Sequence, residues 1–240
     1  VATDDGVALA VLADGMGGYN AGEVASNMAT SFIRTELGRW LREASKQASD
    51  AEVRRAMDIC VDNANRAIFN AANANPQYAG MGTTLVVAVF RDNQLRLGHV
   101  GDSRAYRWRG GQFVQITRDH SLLQEQIDAG LISLEQAQFA THRNLVTRAL
   151  GVEDTVLLEV NEYRVEDEDL YLFCSDGLND MLADERIAAI LVTAGTLEEK
   201  AAALVDAANA SGGRDNISVI LTYARAKPVR RGLFSRMLGK

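Results

Sequence analysis

Apolar positions along this chain alternate between two rhythms. Val7 to Ala13 is an unbroken apolar run and reads as a buried strand. From Ala21 the spacing changes: Val24, Ala25, Met28, Ala29, Phe32, Ile33 and Leu37 recur every three to four residues, predicting an amphipathic helix to about Leu41. Residues 51–74 repeat that pattern through Val53, Met57, Cys60, Ala64, Ala67, Ile68 and Ala71, and Pro76 marks the exit. Thr83 to Phe90, β-branched and apolar, predicts a central strand. Asp92-Asn93 turns into Gln94 to Val100. Arg104 to Arg109 and Gln112 to Ile116 follow, joined by the hairpin signal Gly110-Gly111. Residues 119–150 are more polar: a short helix from Ser121 to Ala129 ended by Gly130, then a capping-box spacing at Ser133-Leu134-Glu135-Gln136. Strands are expected at Val156 to Arg164 and Asp169 to Cys174, with a turn at Asp167-Glu168. Helices are expected at Ala183 to Thr193 and Thr196 to Ala210, the second opened by the box Thr196-Leu197-Glu198-Glu199, before a last apolar run from Ile217 to Leu221. Strands grouped together, with helices in pairs at either end, predict α+β layering rather than a βαβ repeat. No internal repeat or low-complexity tract interrupts it.

Composition adds boundaries to this picture. The 240 residues lie at the upper end of one domain, and 47% hydrophobic with 24% charged residues supply ample core. A net charge of −7 argues against general nucleic-acid affinity. Cys60 and Cys174, far apart and in apolar surroundings, are expected to be reduced core residues, which suits a cytoplasmic setting. No apolar run approaches the roughly 18 residues of a membrane span, and no signal peptide is visible. Residues 225–240 differ in kind: Arg225, Lys227, Arg230, Arg231, Arg236 and Lys240 are unaccompanied by acids, which leaves 19 basic against 32 acidic residues in the body, near −13. Two readings stand for this tail: a disordered solubilising end, or electrostatic docking to an acidic partner or anionic membrane with Leu233, Phe234, Met237 and Leu238 as anchors.

The candidate chemistry sits where strands deliver acids into glycine turns. Leu12-Ala13-Asp14-Gly15-Met16-Gly17-Gly18 drives an apolar strand into an aspartate, which is too costly to bury unpaired. The glycines let the backbone turn sharply and bring its carbonyls close to whatever the carboxylate holds. An ordinary capping aspartate would account for Asp14 alone. However, Tyr171 to Gly177 again delivers Asp176 and then Gly177, and Gly212-Gly213-Arg214-Asp215-Asn216 places Asp215 at the start of a strand. Convergence on one cluster of hard cations explains all three, since such ions take carboxylate, carbonyl and water oxygens. Rival chemistries fare worse. Cys174 has Asp180, not Arg, six residues on; Leu12, not an acid, stands two before Asp14; His99, His120 and His142 are scattered; and no Gly-x-x-x-x-Gly-Lys-Ser/Thr loop occurs.

Asp14-Gly15-Met16-Gly17-Gly18, Gly101-Asp102-Ser103-Arg104, Asp119-His120-Ser121, Ser175-Asp176-Gly177 and Asp215-Asn216 occur in this order over roughly residues 5 to 223. The series resembles the metal-dependent serine/threonine protein phosphatases of the PPM (type 2C) family in its compact bacterial form. The resemblance implies a four-layer α-β-β-α sandwich, two largely antiparallel sheets flanked by helix pairs. The phosphatase domain would span residues 1–224. It implies two Mn²⁺ or Mg²⁺ ions, with Asp14 bridging both, the Gly15 carbonyl on one, and Asp176 and Asp215 completing the other. A third, looser ion would sit on Asp102 and Asp176. Such ions lower the pKa of a bound water from about 15.7 toward roughly 7 and clamp the attacking and leaving oxygens. His120 is a candidate proton donor to the leaving group, with a structural role as the competing reading. Residues 119–150 would hold a mobile flap, where Arg143 and Arg148 are candidates to approach substrate or simply to be solvated. The implied partners are phosphorylated proteins, substrates of a serine/threonine kinase, and the chain is expected to act as a monomer. A family chain carries a preceding segment with an Arg and an Asn-Glu-Asp-like motif. Neither is visible here, Asp4 and Asp5 are expected in a turn that does not match it, and the chain is expected to start some tens of residues late. The competing function is a non-catalytic, phosphatase-like module that binds a signalling partner.

Overall fold

A computed structural model describes residues 2–4, 6–18, 20–44, 47–137 and 145–225. A short strand β1 (Ala2–Asp4) pairs antiparallel with β2 (Val7–Leu12), so Asp4 stands in a strand opposite Val7 rather than in the expected turn; the reversal is made at Gly6. After the two-residue β3 (Gly15–Met16) come two long helices, α1 (Ala21–Ala44) and α2 (Asp50–Ala74). The buried stripe of α1 is Ala21, Ala25, Ala29, Ile33, Leu37 and Leu41: small residues in the first turns, large ones beyond. Ser49 and Glu52 close a reciprocal capping box at the start of α2.

Next are β4 (Gly82–Thr83), β5 (Leu85–Arg91), β6 (Gln94–Val100), β7 (Arg104–Arg109) and β8 (Gln112–Gln115). The two expected hairpin turns are present. Asp92 and Asn93 take φ of 52° and 58°, and Gly110 and Gly111 take 54° and 85°, the left-handed pair that suits the twist of hairpins. Helices α3 (Leu122–Asp128) and α4 (Leu134–Ala137) lead to β9 (Glu159–Arg164) and β10 (Leu170–Cys174). Then come α5 (Asp176–Asn179), α6 (Asp184–Leu191), α7 (Leu197–Ala210) and β11 (Val219–Tyr223).

Two sheets result, ordered β1-β2-β5-β6-β9 and β11-β10-β7-β8, with every pairing antiparallel; β3 and β4 form a separate ribbon. Alternation along the strands decides which layer each residue faces. In β5, Leu85, Val87 and Val89 pack with Ile33, Leu37, Met57 and Ile68 of the first helix pair. Val86 and Ala88 face Tyr171 and Phe173 of the second sheet. In β10, Leu170, Leu172 and Cys174 turn outward to Ile187, Leu191 and Leu204 of α6 and α7. The architecture is therefore the α-β-β-α sandwich, and both central strands read as continuous apolar runs because both of their faces are covered. Cys60 and Cys174 are free and buried, as expected, and burial pushes the Cys174 thiol up to about 12.

Three departures from the expected elements have local causes. The Thr83–Phe90 strand is broken at Thr84, whose N–H and hydroxyl both serve Asp14 (below). The β9 strand starts at Glu159 rather than Val156, the ladder with β6 ending at the pair His99–Glu159 close to the end of β6. The last strand starts at Val219, two residues late, because Asn216 and Ser218 are bonded to Ser175 instead.

Candidate functional site

Asp14 follows β2 directly and lies between that strand and β3. Its main chain is held by Thr83 of β4 and by Thr84 at the break between β4 and β5: Asp14 N–H donates to Thr84 Oγ1 at 3.0 Å, while its carbonyl accepts from Thr84 N–H at 2.9 Å and from Thr83 Oγ1 at 2.9 Å. Gly15 is required by steric closeness, since a Cβ there would lie 1.9 Å from the Gly22 carbonyl oxygen at the start of α1.

Asp176 is reached from the other sheet. It opens the short helix α5 rather than the expected glycine turn, one residue after Ser175. Ser175 Oγ donates to the Asn216 carbonyl at 3.0 Å and accepts from Ser218 N–H at 3.0 Å, drawing the segment that carries Asp215 against the end of β10. Gly177 makes this approach possible, because a Cβ there would lie 2.4 Å from the Asn216 carbonyl oxygen.

Asp102 occupies the bend between β6 and β7, after Gly101 at φ 98°. The strands that deliver these acids end along one edge of the sandwich: Leu12 is opposite Val86, Leu85 opposite Val100, and Cys174 opposite both Arg104 and Val219.

Asp14 and Asp176 share a hydrogen bond, and the charges of Asp215 and Asp102 also act on Asp14. Burial, then the charges of Asp176 and Asp215, a hydrogen bond to the Asp176 carboxyl and the charge of Asp102 push Asp14 up to about 7. Asp176 is raised by burial and by the charges of Asp180 and Asp215. Asp102, 9% exposed, is pushed up to about 7 by burial, Asp176 and Asp119, with Arg104 opposing. The groups that bear most on Asp14 are thus all acids. Asp215 is exposed and Asp14 half-buried, so the cluster opens to solvent. A concentration of carboxylate oxygens, opposed at Asp102 by Arg104, is chemically suited to divalent cations that prefer carboxylate, carbonyl and water.

Asp180, Arg104, Asp119 and Gln115 complete the surroundings. Asp180 lies four residues after Asp176, hence on the same side of the chain's helical turn, and that i,i+4 spacing was the readable signal. Arg104 pairs with both oxygens of Asp119, at 2.7–3.0 Å, and Gln115 Nε2 donates to the same carboxylate at 2.9 Å.

His120 lies beside the Asp102 turn. Its Nδ1 accepts from Gly101 N–H at 3.1 Å, and its Nε2 is 3.2 Å from Glu159 Oε2 and 3.5 Å from Arg148 Nη1. Burial lowers its pKa. His99 and His120, scattered in sequence, are together in space: their rings stack at 4.7 Å and 14°. Near-parallel ring planes do not meet at one ion, and His99 Nε2 is already engaged by the Arg118 carbonyl at 2.7 Å. These residues form a hydrogen-bonded strut between β6, β9 and the segment before α3. His142 and Arg143 lie outside the described residues, as do residues 226–240 of the basic tail.

A family model described as protein phosphatase 2C matches residues 1–221. The serine/threonine phosphatase stp of Listeria innocua is 37% identical over 213 residues, covering 89% of this chain and 83% of its own. The crystal structure of the Mycobacterium tuberculosis serine/threonine phosphatase PstP/Ppp superposes with a TM-score of 0.82 at 34% identity, covering 94% of each chain. The catalytic domain of PstP in complex with two manganese ions matches at a TM-score of 0.75 and 34% identity over 92% of each. Sequence, strand order and the meeting of acids at one sandwich edge agree: the chain belongs to the protein phosphatase 2C family.

Proposed function

We propose that this chain hydrolyses phosphoserine and phosphothreonine in proteins, using Mn²⁺ or Mg²⁺. Asp14, the Gly15 carbonyl, Asp176 and Asp215 hold two ions, and Asp102 with Asp176 holds a third. The observation that carries the reading is the Asp14–Asp176 contact: two acids share a hydrogen bond while Asp215 and Asp102 add further negative charge. Bound divalent ions remove that repulsion, and they supply a water of lowered pKa together with a clamp on the phosphoryl oxygens. The names of the relatives, serine/threonine phosphatases, support catalysis over the partner-binding module. So does retention of all three core acids, for which a dead module has no chemical use. The relative with two manganese ions supports the choice of cation.

The chain's own groups divide the work by position. Asp14 and Asp176 approach from different sheets and would hold the ions between them. Asp215, exposed, sets the rim where a phosphorylated side chain on a large partner can reach the cluster. Both nitrogens of His120 face protein partners, which supports a structural role for it over proton donation. Residues 1–224 are the phosphatase domain in this reading, with 225–240 a basic appendage. Among the described residues no helix is long and apolar enough to cross a membrane.

The test uses p-nitrophenyl phosphate and a phosphothreonine peptide with Mn²⁺, Mg²⁺ or excess chelator. Turnover is expected with either metal and none with chelator. Asp176→Asn is expected to lose about a thousandfold in rate, equivalent to about 4 kcal/mol of transition-state stabilisation. Metal-independent turnover, or an unimpaired Asp176→Asn, overturns the reading.

A further inference from the structure

Between Asp14 and the Asp102 turn stands Thr84. It belongs to the strand segment that lies between those carrying the two acids, at the break between β4 and β5. Its side chain is 2% exposed, and Ser103 beside it is 1% exposed. A buried hydroxyl is unfavourable unless it is hydrogen-bonded, and one partner would be enough to satisfy it. Thr84 Oγ1 has two, one on each side: it accepts from Asp14 N–H at 3.0 Å and shares a 2.7 Å hydrogen bond with Ser103 Oγ. Thr84 N–H also donates to the Asp14 carbonyl. The methyl side of Thr84 seats the turn directly, since a Cβ at Gly101 would lie 2.8 Å from Thr84 Cγ2. From the opposite side, His120 Nδ1 accepts from Gly101 N–H. The main chain of one predicted cation-holding acid and the turn that carries another are thereby joined through a single side chain.

We propose that Thr84 and Ser103 are positioning residues that tie the Asp14 core site to the Asp102 site, so that the third cation is bound in a geometry set by the first two. The proposal rests on the metal reading above. Valine at position 84 fills nearly the same space, yet leaves Asp14 N–H without its acceptor and Ser103 without its neighbour. Serine restores the hydroxyl without the methyl group.

The test follows Mn²⁺ binding to the full chain by the paramagnetic resonance signal of the free ion, alongside p-nitrophenyl phosphate turnover. Wild type is compared with Thr84→Val, Thr84→Ser, Ser103→Ala, Asp102→Asn and the double variant Thr84→Val/Asp102→Asn. Thr84→Val is expected to weaken the lower-affinity class of Mn²⁺ sites about tenfold, as loss of a group that orients a ligand does, and to lower kcat with KM little changed. Thr84→Ser is expected within about twofold of wild type. With Asp102→Asn already present, Thr84→Val is expected to add less than about twofold, because linked residues are non-additive. Ser103→Ala removes half the link without disturbing Asp14, and its weakening of that class is likewise expected to vanish beside Asp102→Asn; it decides the matter if Thr84→Val does not fold. Equal penalties with and without Asp102, or wild-type Mn²⁺ binding by both Thr84→Val and Ser103→Ala, overturn the proposal. Failure of the underlying metal reading looks different: wild type itself then leaves the free-ion signal undiminished, and both readings fall.

Discussion

Asp14 and Asp102 are both pushed up to about 7, Asp14 by burial and then Asp176 and Asp215, Asp102 by burial and then Asp176 and Asp119. In the unfolded chain each titrates near 3.8. A carboxyl whose folded pKa is raised binds more protons folded than unfolded between those values, so its contribution to stability falls as pH rises from about 4 through about 7. His120, lowered by burial, works in the opposite direction below its ordinary value of 6.5. A comparison of wild type with Asp14→Asn therefore isolates the acid. In excess chelator the two are expected to melt together near pH 5, with Asp14→Asn the more stable by at least about 3 °C at pH 8, roughly 1 kcal/mol for a chain of this size. With saturating Mn²⁺ the order reverses, because the ligands must be deprotonated to bind. Thermal melts at four pH values check this. Wild type remaining the more stable at pH 8 in chelator would contradict the assigned repulsion.

The start of α5 and the segment before β11 form a pair that neither could form alone. Gly177 lies against the Asn216 carbonyl oxygen, and Ser175 is bonded to both Asn216 and Ser218. Gly177→Ala forces backbone from backbone, moving Asp176 away from Asp215, while the cores of the sheets stay untouched. Expected is a loss of Mn²⁺ affinity of about tenfold or more with a stability loss of only about 1–2 kcal/mol, read by ion titration and urea unfolding; unchanged affinity would place the two acids in separate sites. At this scale much was legible in the sequence. The helices were readable from 3.6-residue periodicity and two capping boxes, and the central strands from apolar runs covered on both faces. The Asp-Gly junctions stood out because a strand that ends in an acid is chemically odd. What escaped was set by pairing across strands. Thr84 looked like one more β-branched strand residue, and its link to Asp14 spans 70 positions. His99 and His120 looked scattered because contacts 19 positions apart in sequence, Gly101 with His120 and His99 with the Arg118 carbonyl, bring them together. The shift of the last strand follows from Ser175, 43 residues earlier.

Asp14 and Asp102 stand at the ends of strands in the first sheet, Asp176 and Asp215 at strand ends of the second, so the packing between sheets sets the distance between the two halves of the cluster. That packing is aromatic near the middle: the Phe90 ring meets Tyr171 edge-on at 5.2 Å and Phe173 at 6.4 Å. Phe173 is 1% exposed and lies three residues before Asp176 on the same chain. Leu204, fully buried on α7, packs only on the outer face of the second sheet. Truncating either to alanine leaves a cavity, and the expected losses overlap, about 3–5 kcal/mol for Phe173→Ala and about 2–5 kcal/mol for Leu204→Ala. Their consequences for the cluster should differ. Phe173→Ala removes material from between the sheets and lets Asp176 shift relative to Asp14, so Mn²⁺ affinity should fall about tenfold. Leu204→Ala loosens an outer layer and should leave the affinity within about twofold, because distant, unlinked sites behave additively. Measuring unfolding in urea and Mn²⁺ binding on both variants separates the effects. Equal affinity losses would mean that the sandwich acts on the site only through its overall stability and not through the spacing of its two sheets.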